Sequence, residues 1–161
     1  MTHRHHASIH WERQGARFTD HRFGRAHRWR FDGGADVPAS SSPLVVRLPF
    51  SDPAGVDPEE AFVAALASCH MLWFLDLAAR AGFVIDRYDD AAEGLMGRTP
   101  EGREWVERVE LRPAVVFAPQ GRNPDDGAVE ALHHAAHEAC YIANSVRSEV
   151  LTRGSWSLSS A

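Results

Sequence analysis

The stretch VDPEEAFVAALASCHMLWFLDLAARAG, residues 56–82, decides the fold. Asp57 is a good N-cap, Pro58 suits the first helical position, and Glu59 and Glu60 complement the positive end of a helix. Glu60 follows Asp57 by three residues, close to a capping-box arrangement. The spacing predicts a helix to about Ala81, stopped by Gly82 at C′. The segment is apolar nearly all round, so the helix is expected to be central and covered on several sides. Ala61 to Ala79 is also the best candidate for a membrane span. It carries Ser68, Cys69, His70 and Asp76, however, and a buried core helix is the better reading.

Upstream, Ile9 to Arg13 predicts a short strand. Phe23 to Phe31 predicts a clearer one, with Phe23, Arg25, His27, Trp29 and Phe31 on one face. Two charged or polar side chains, Arg25 and His27, therefore share an aromatic face. Asp32-Gly33-Gly34 signals a turn, and Pro38 to Pro43 and Pro49 to Asp57 read as loops. Leu44 to Leu48, interrupted by Arg47, reads as a strand. Downstream, Phe83 to Tyr88 and Ala91 to Gly97 are expected strands, and Thr99 to Gly102 a turn. Glu104 to Phe117 alternates as one long strand with a bulge or an edge at Pro113. A second helix is expected from Ala128 to about Tyr141, and strand-like residues from Val146 to Leu158 close the chain. The sum is one α+β domain over residues 1–161, with antiparallel hairpins and two main helices.

The 161 residues suit one domain and can support a hydrophobic core without disulfide staples. Seventeen Lys and Arg against 22 Asp and Glu give a net charge of -5. That balance argues against a nucleic-acid surface and against binding to an anionic membrane. Met1-Thr2-His3-Arg4-His5-His6 lacks the apolar stretch of a secretory signal, which points to the cytoplasm. Two cysteines in a reducing compartment are more often catalytic, redox-active or metal-binding than structural.

Pro58-Glu59-Glu60 at a helix start, Ala67-Ser68-Cys69-His70-Met71 further along it, and a second cysteine in Ala139-Cys140-Tyr141-Ile142 near the end of a later helix resemble the signature of the OsmC/Ohr family. The two cysteines, the Pro-Glu-Glu spacing and the element order carry the resemblance together. It implies an intertwined homodimer with central helices packed between sheets. It also implies reduction of organic hydroperoxides without haem, metal or other cofactor, at the expense of a lipoyl protein or another dithiol reductant. By this resemblance Cys69 is attacked by the peroxide, Cys140 resolves it, and Glu59 supports the Arg that activates the thiolate. Arg25 and Arg47 are both candidates for that Arg. Relatives studied as hydroperoxide reductases usually carry an aromatic where this chain has His70. A different class of reading is a non-enzymatic or regulatory protein of the same fold that binds a small apolar ligand.

The chemistry gives a physical reason for the trio. The thiolate is the nucleophile, and burial alone raises a thiol's pKa. Cys69 lies midway along its helix, where the helix dipole has little reach, so the site must import a cation. Arg stays charged and can donate to a peroxide oxygen, and a buried Arg needs a carboxylate. Glu59 and Cys69 are ten residues apart, or ~15 Å on a straight helix. Either the helix is kinked or Glu59 serves the Cys69 of a second copy of the chain across a two-fold axis. Phe62, Leu66, Leu72 and Trp73 surround Cys69 in sequence and predict a preference for bulky organic hydroperoxides over hydrogen peroxide. His133, His137 and Cys140 share a helix face, but no fourth metal ligand is evident. His70 points about 100° away from Cys69, which argues against a Cys-His hydrolase pair.

Overall fold

The structure, a computed structural model, describes residues 2–160. The chain divides into two units, Met1–Ala61 and Phe62–Ala161. The first holds a three-stranded antiparallel sheet of β1 (Ala7–His10), β2 (His27–Phe31) and β3 (Asp36–Ala39), with β2 in the middle. The turn between β2 and β3 is the one the glycines signalled, with Gly34 at φ 88°. The predicted strand from Phe23 is shorter than expected. Phe23 to Ala26 is irregular, because Arg25 N–H is taken by the Phe50 carbonyl at 2.8 Å instead of by a neighbouring strand. The strand predicted over Leu44–Leu48 is a correction: these residues form turns, with Leu44 97%, Val45 68% and Leu48 58% exposed. An apolar run with no sheet edge to join gains nothing from an extended backbone.

Helix α1 (Pro58–Arg80) starts and stops as its sequence dictates. Glu60 N–H donates to Asp57 Oδ1 at 2.8 Å and Asp57 N–H to Glu60 Oε2 at 3.1 Å, a reciprocal capping box. At the far end Gly82, at φ 82°, lets Phe83 N–H reach the Ala78 carbonyl at 3.0 Å and its own N–H reach Ala79 at 3.1 Å. This pair of bonds satisfies carbonyls that the helix itself leaves open. Within the chain α1 buries one stripe, Leu66, His70, Phe74 and Ala78, at i,i+4 spacing. Ala64, Ala65, Ser68 and Leu72 stay exposed.

The second unit has two mixed three-stranded sheets. β4 (Ile85–Asp90), β7 (Pro113–Phe117) and β9 (Ser155–Leu158) form one; β5 (Glu93–Arg98), β6 (Glu104–Leu111) and β8 (Glu149–Thr152) form the other. β4–β7 and β5–β6 are antiparallel, whereas β8 and β9 join β6 and β7 in parallel. The predicted strand 104–117 is thus two strands in different sheets. The chain changes sheet at Arg112, whose N–H is diverted to Asp90 Oδ1 at 2.7 Å, and Pro113 has no N–H to offer a ladder. Helix α2 (Asp126–Ala139) is capped by Asp125, whose side chain accepts from Ala128 N–H at 2.8 Å. Phe74 and Ala78 pack with Phe83, Val115, Phe117, Val129, Leu132 and Ala136; Leu66 packs with Val109 and Leu111. α1 therefore serves as the spine of both clusters.

Candidate active site

Two groups of predicted site residues are assembled, one in each unit. In the second unit Cys69 on α1 and Cys140, which caps the C-terminus of α2, lie near enough for each thiol to act on the other, both unoxidised. The local sequence holds Cys140 firmly. Its N–H donates to the His137 carbonyl at 3.2 Å, its sulfur accepts from Ala143 N–H at 3.4 Å, and Asn144 Nδ2 donates to the Cys140 and Glu138 carbonyls at 3.0 and 2.8 Å. A 3₁₀ turn, Ala143–Ser145, follows at once.

The two thiols differ in environment. Cys140 is buried, and burial pushes its pKa up, with the contact to Cys69 pushing the same way. Cys69 is half-buried and opens onto a cavity of about 480 Å³ lined by Ala65, Leu72, Trp73, Tyr141 and Ile142, with Asp76 and Arg80 also lining it. Asp76 and Arg80 are paired at 2.8 Å across one helical turn. Of the four apolar residues expected around Cys69, Leu72 and Trp73 line this cavity. Leu66 is fully buried in the core and Phe62 packs against it, because both lie on the inward side of α1.

In the first unit Arg25 and Glu59 line a cavity of about 420 Å³ together with Ile9, Trp11, Phe18, Phe23 and His27. The shared face of Arg25 and His27 read from the sequence is thus a real lining. Arg25 is not held by the carboxylate. Its Nη1 donates to the His21 carbonyl at 2.9 Å and to the Phe23 carbonyl, and its guanidinium lies 3.7 Å from the centre of the Phe23 ring. Phe18 stacks on Phe23 at 4.6 Å and Trp11 meets Phe23 edge-on at 5.5 Å. His27 Nε2 accepts from Trp29 Nε1 at 2.9 Å, so its Nδ1 is the donor to the Arg25 carbonyl at 2.7 Å. Arg47 lies exposed in the turn region and lines neither cavity. α1 is unbroken from Pro58 to Arg80, so Glu59 and Cys69 remain ~15 Å apart along it.

The histidines resolve differently from the metal face considered above. Among the described residues no group of three or more His, Cys, Asp or Glu side chains is placed to hold a metal ion. Instead His70 Nε2 and His133 Nδ1 share a hydrogen bond at 3.0 Å, with the rings stacked at 5.4 Å. Phe74 stacks on His133 at 4.4 Å. Burial lowers the His70 pKa to about 4, with His133 and His137 adding to the effect, and lowers that of His133 to about 4 as well. Both rings are therefore neutral at pH 7. The sequence carried half of this signal, the 100° offset that turns His70 away from Cys69 into the core.

The sequence profile of the family described as OsmC-like protein matches residues 51–153. An OsmC-like protein of unknown function from Vibrio cholerae is 48% identical, over 96% of this chain and 100% of its own, with a TM-score of 0.92. An organic hydroperoxide resistance protein from Legionella pneumophila is 18% identical, over 98% of each chain, with a TM-score of 0.64. The organic hydroperoxide resistance protein OhrB of Bacillus subtilis is 18% identical, over 96% of this chain and 98% of its own, with a TM-score of 0.59. The last two share the fold. No protein with a curated description matches the chain. With its profile match over most of the sequence and a near-full-length relative at close to half identity, the chain belongs to the OsmC-like family.

Proposed function

We propose that the protein is a cysteine-based peroxidase that reduces organic hydroperoxides. The observation that carries this reading is the nearness of a half-buried thiol that opens onto an apolar cavity, Cys69, to a buried thiol of raised pKa, Cys140. Cys69 is the accessible nucleophile and Cys140 the sheltered resolver. The Cys69 thiolate attacks the outer peroxide oxygen and the O–O bond breaks. The alcohol leaves with a proton, and Cys69 becomes a sulfenic acid. Cys140 then displaces water to form the disulfide, and a dithiol such as a lipoyl group returns two electrons and two protons. The cavity beside Cys69 favours bulky hydroperoxides, since each Å² of buried alkyl surface contributes roughly 25 cal/mol.

The activating cation is Arg25, reinforced by Glu59. Both line one cavity, and the ten-residue spacing keeps that cavity's carboxylate away from Cys69 of the same helix. A two-fold homodimer would let the Arg25–Glu59 half of one copy meet the Cys69–Cys140 half of the other. The exposed apolar face of α1, with Leu72 61% exposed, favours such an association. Coexpressed Glu59→Gln and Cys69→Ser chains test it: each mixed dimer holds one intact site and one lacking both groups. Peroxidase activity should reappear in the purified heterodimer, and its absence there rejects the shared site. The apolar cavity would equally suit a non-enzymatic binder of a small apolar ligand. Consumption of cumene hydroperoxide with dihydrolipoamide, absent in Cys69→Ser, distinguishes the two.

A further inference from the structure

The buried pair His70–His133 has no part in that chemistry. It is also an expensive feature in a core, since His133 Nε2 is buried with no hydrogen-bond partner. What distinguishes the pair is its position. His70 follows Cys69 on α1, and His133 precedes Cys140 by seven residues on α2, about 10 Å along that helix. α1 and α2 thus bring two pairs of side chains together, Cys69 beside Cys140 at the cap of α2 and His70 hydrogen-bonded to His133. On α1 the contacts come from adjacent residues; on α2 they are about 10 Å apart. Two contacts so placed fix the angle at which α2 crosses α1. With the histidine contact as pivot, a 10° swing of α2 carries Cys140 by roughly 2 Å. Disulfide geometry does not tolerate such an error. The surrounding packing of Phe74, Val129, Leu132 and Ala136 is non-directional, whereas the hydrogen bond is directional.

We propose that His70 and His133 are positioning residues for the dithiol: their hydrogen bond sets the crossing of α1 and α2 that keeps Cys140 within reach of oxidised Cys69. This rests on the reading of the two cysteines as a redox couple. The step it serves is closure. The Cys140 sulfur attacks the Cys69 sulfenic sulfur, the S–S bond forms and the S–O bond breaks. The hydroxyl leaves as water with the Cys140 proton, and no outside electrons are needed. The first attack on peroxide uses the Cys69 thiolate without Cys140 and does not depend on the histidine pair.

The test compares wild type with the double variant His70→Leu/His133→Leu and with the conservative variants His70→Gln and His133→Asn. The double change removes both partners together, so no new orphaned group is left in the core. Gln at 70 can return an amide near the Nε2 position, and Asn at 133 one near Nδ1. Each protein is mixed rapidly with one equivalent of cumene hydroperoxide and quenched into dimedone, and sulfenic acid and disulfide are followed by mass. Sulfenic acid formation should stay within about two-fold of wild type, while closure slows at least about ten-fold in the double variant, as a misplacement of an ångström or more requires. The Gln and Asn variants should recover closure to within about three-fold. Closure at the wild-type rate in the folded double variant overturns the proposal, as does an equal slowing of both steps. If the double variant melts below the assay temperature, His70→Asn takes its place, its amide too short to reach His133; slow closure there supports the proposal and wild-type closure overturns it. Equilibration in a dithiothreitol buffer separates the two readings. Wild-type cysteines that form no disulfide overturn the redox couple and this proposal together, whereas a normal wild-type disulfide with unchanged variants overturns this proposal alone.

Discussion

Acid should weaken this fold well above the range where carboxylates titrate, because of the buried histidine pair. His70 and His133 are 1% and 8% exposed, and burial holds both pKa values near 4 against 6.5 for the free side chain. Above pH 6.5 the rings are neutral in folded and unfolded chains alike, and the pair contributes nothing to pH dependence. As the pH falls through 6.5 the unfolded chain takes up protons that the folded chain refuses, so stability is lost until about pH 4. The fall from 6.5 to about 4 corresponds to about 3 kcal/mol per histidine, of which about 2 is lost by pH 5. For the pair that is about 4 kcal/mol, a large share of the roughly 5–15 kcal/mol of a typical domain. Asp90, whose carboxyl burial pushes up, works in the opposite sense and offsets part of it. Urea unfolding at pH 7.5 and 5.0 reads the loss directly. In His70→Leu/His133→Leu the loss over the same interval should be smaller by about 3–4 kcal/mol. Equal losses in wild type and variant, or imidazole resonances of the folded protein titrating near 6.5, would refute the reasoning.

Arg25→Ala should lower peroxide turnover by roughly 100-fold, the effect of losing a charged donor at a developing oxyanion, while Arg47→Ala, exposed in its turn, should leave turnover within about two-fold; steady-state rates with cumene hydroperoxide compare them. Phe74→Ala should cost about 3–5 kcal/mol, since its fully buried ring touches Tyr88 and His133 as well as the aliphatic core, and a urea melt reads the change.

Helix α1 was legible to within a residue because its signals are local. Asp57, Pro58, Glu60 and Gly82 act within one turn of the ends they specify. Cys69 and Cys140 were singled out through the family resemblance, and the Arg25 face through the alternation of Phe23 to Phe31. The strand character of Val146 to Leu158 was legible, but the parallel pairing of β8 and β9 was not, since the choice of partner for Glu149–Thr152 or Ser155–Leu158 is made by distant strands, and nothing in those four-residue segments encodes direction. Arg112 hid the break between β6 and β7 because alternation continues across it. Leu44, Val45 and Leu48 misled because an apolar run predicts burial only where a surface exists to receive it. His133 could not be matched to His70 from the sequence, since the two are 63 positions apart and meet only when α2 lies across α1.

Turnover requires Cys69 and Cys140 to act as one redox couple. Intact mass of the reduced protein after a slight excess of organic hydroperoxide tests it most directly. A loss of two hydrogens per chain is predicted, with a peptide map linking Cys69 to Cys140. Cys140→Ser should stop at a Cys69 sulfenic acid or its overoxidised products, and Cys69→Ser should consume no peroxide. Unchanged mass in the wild type, or full peroxide consumption by Cys69→Ser, would contradict the account.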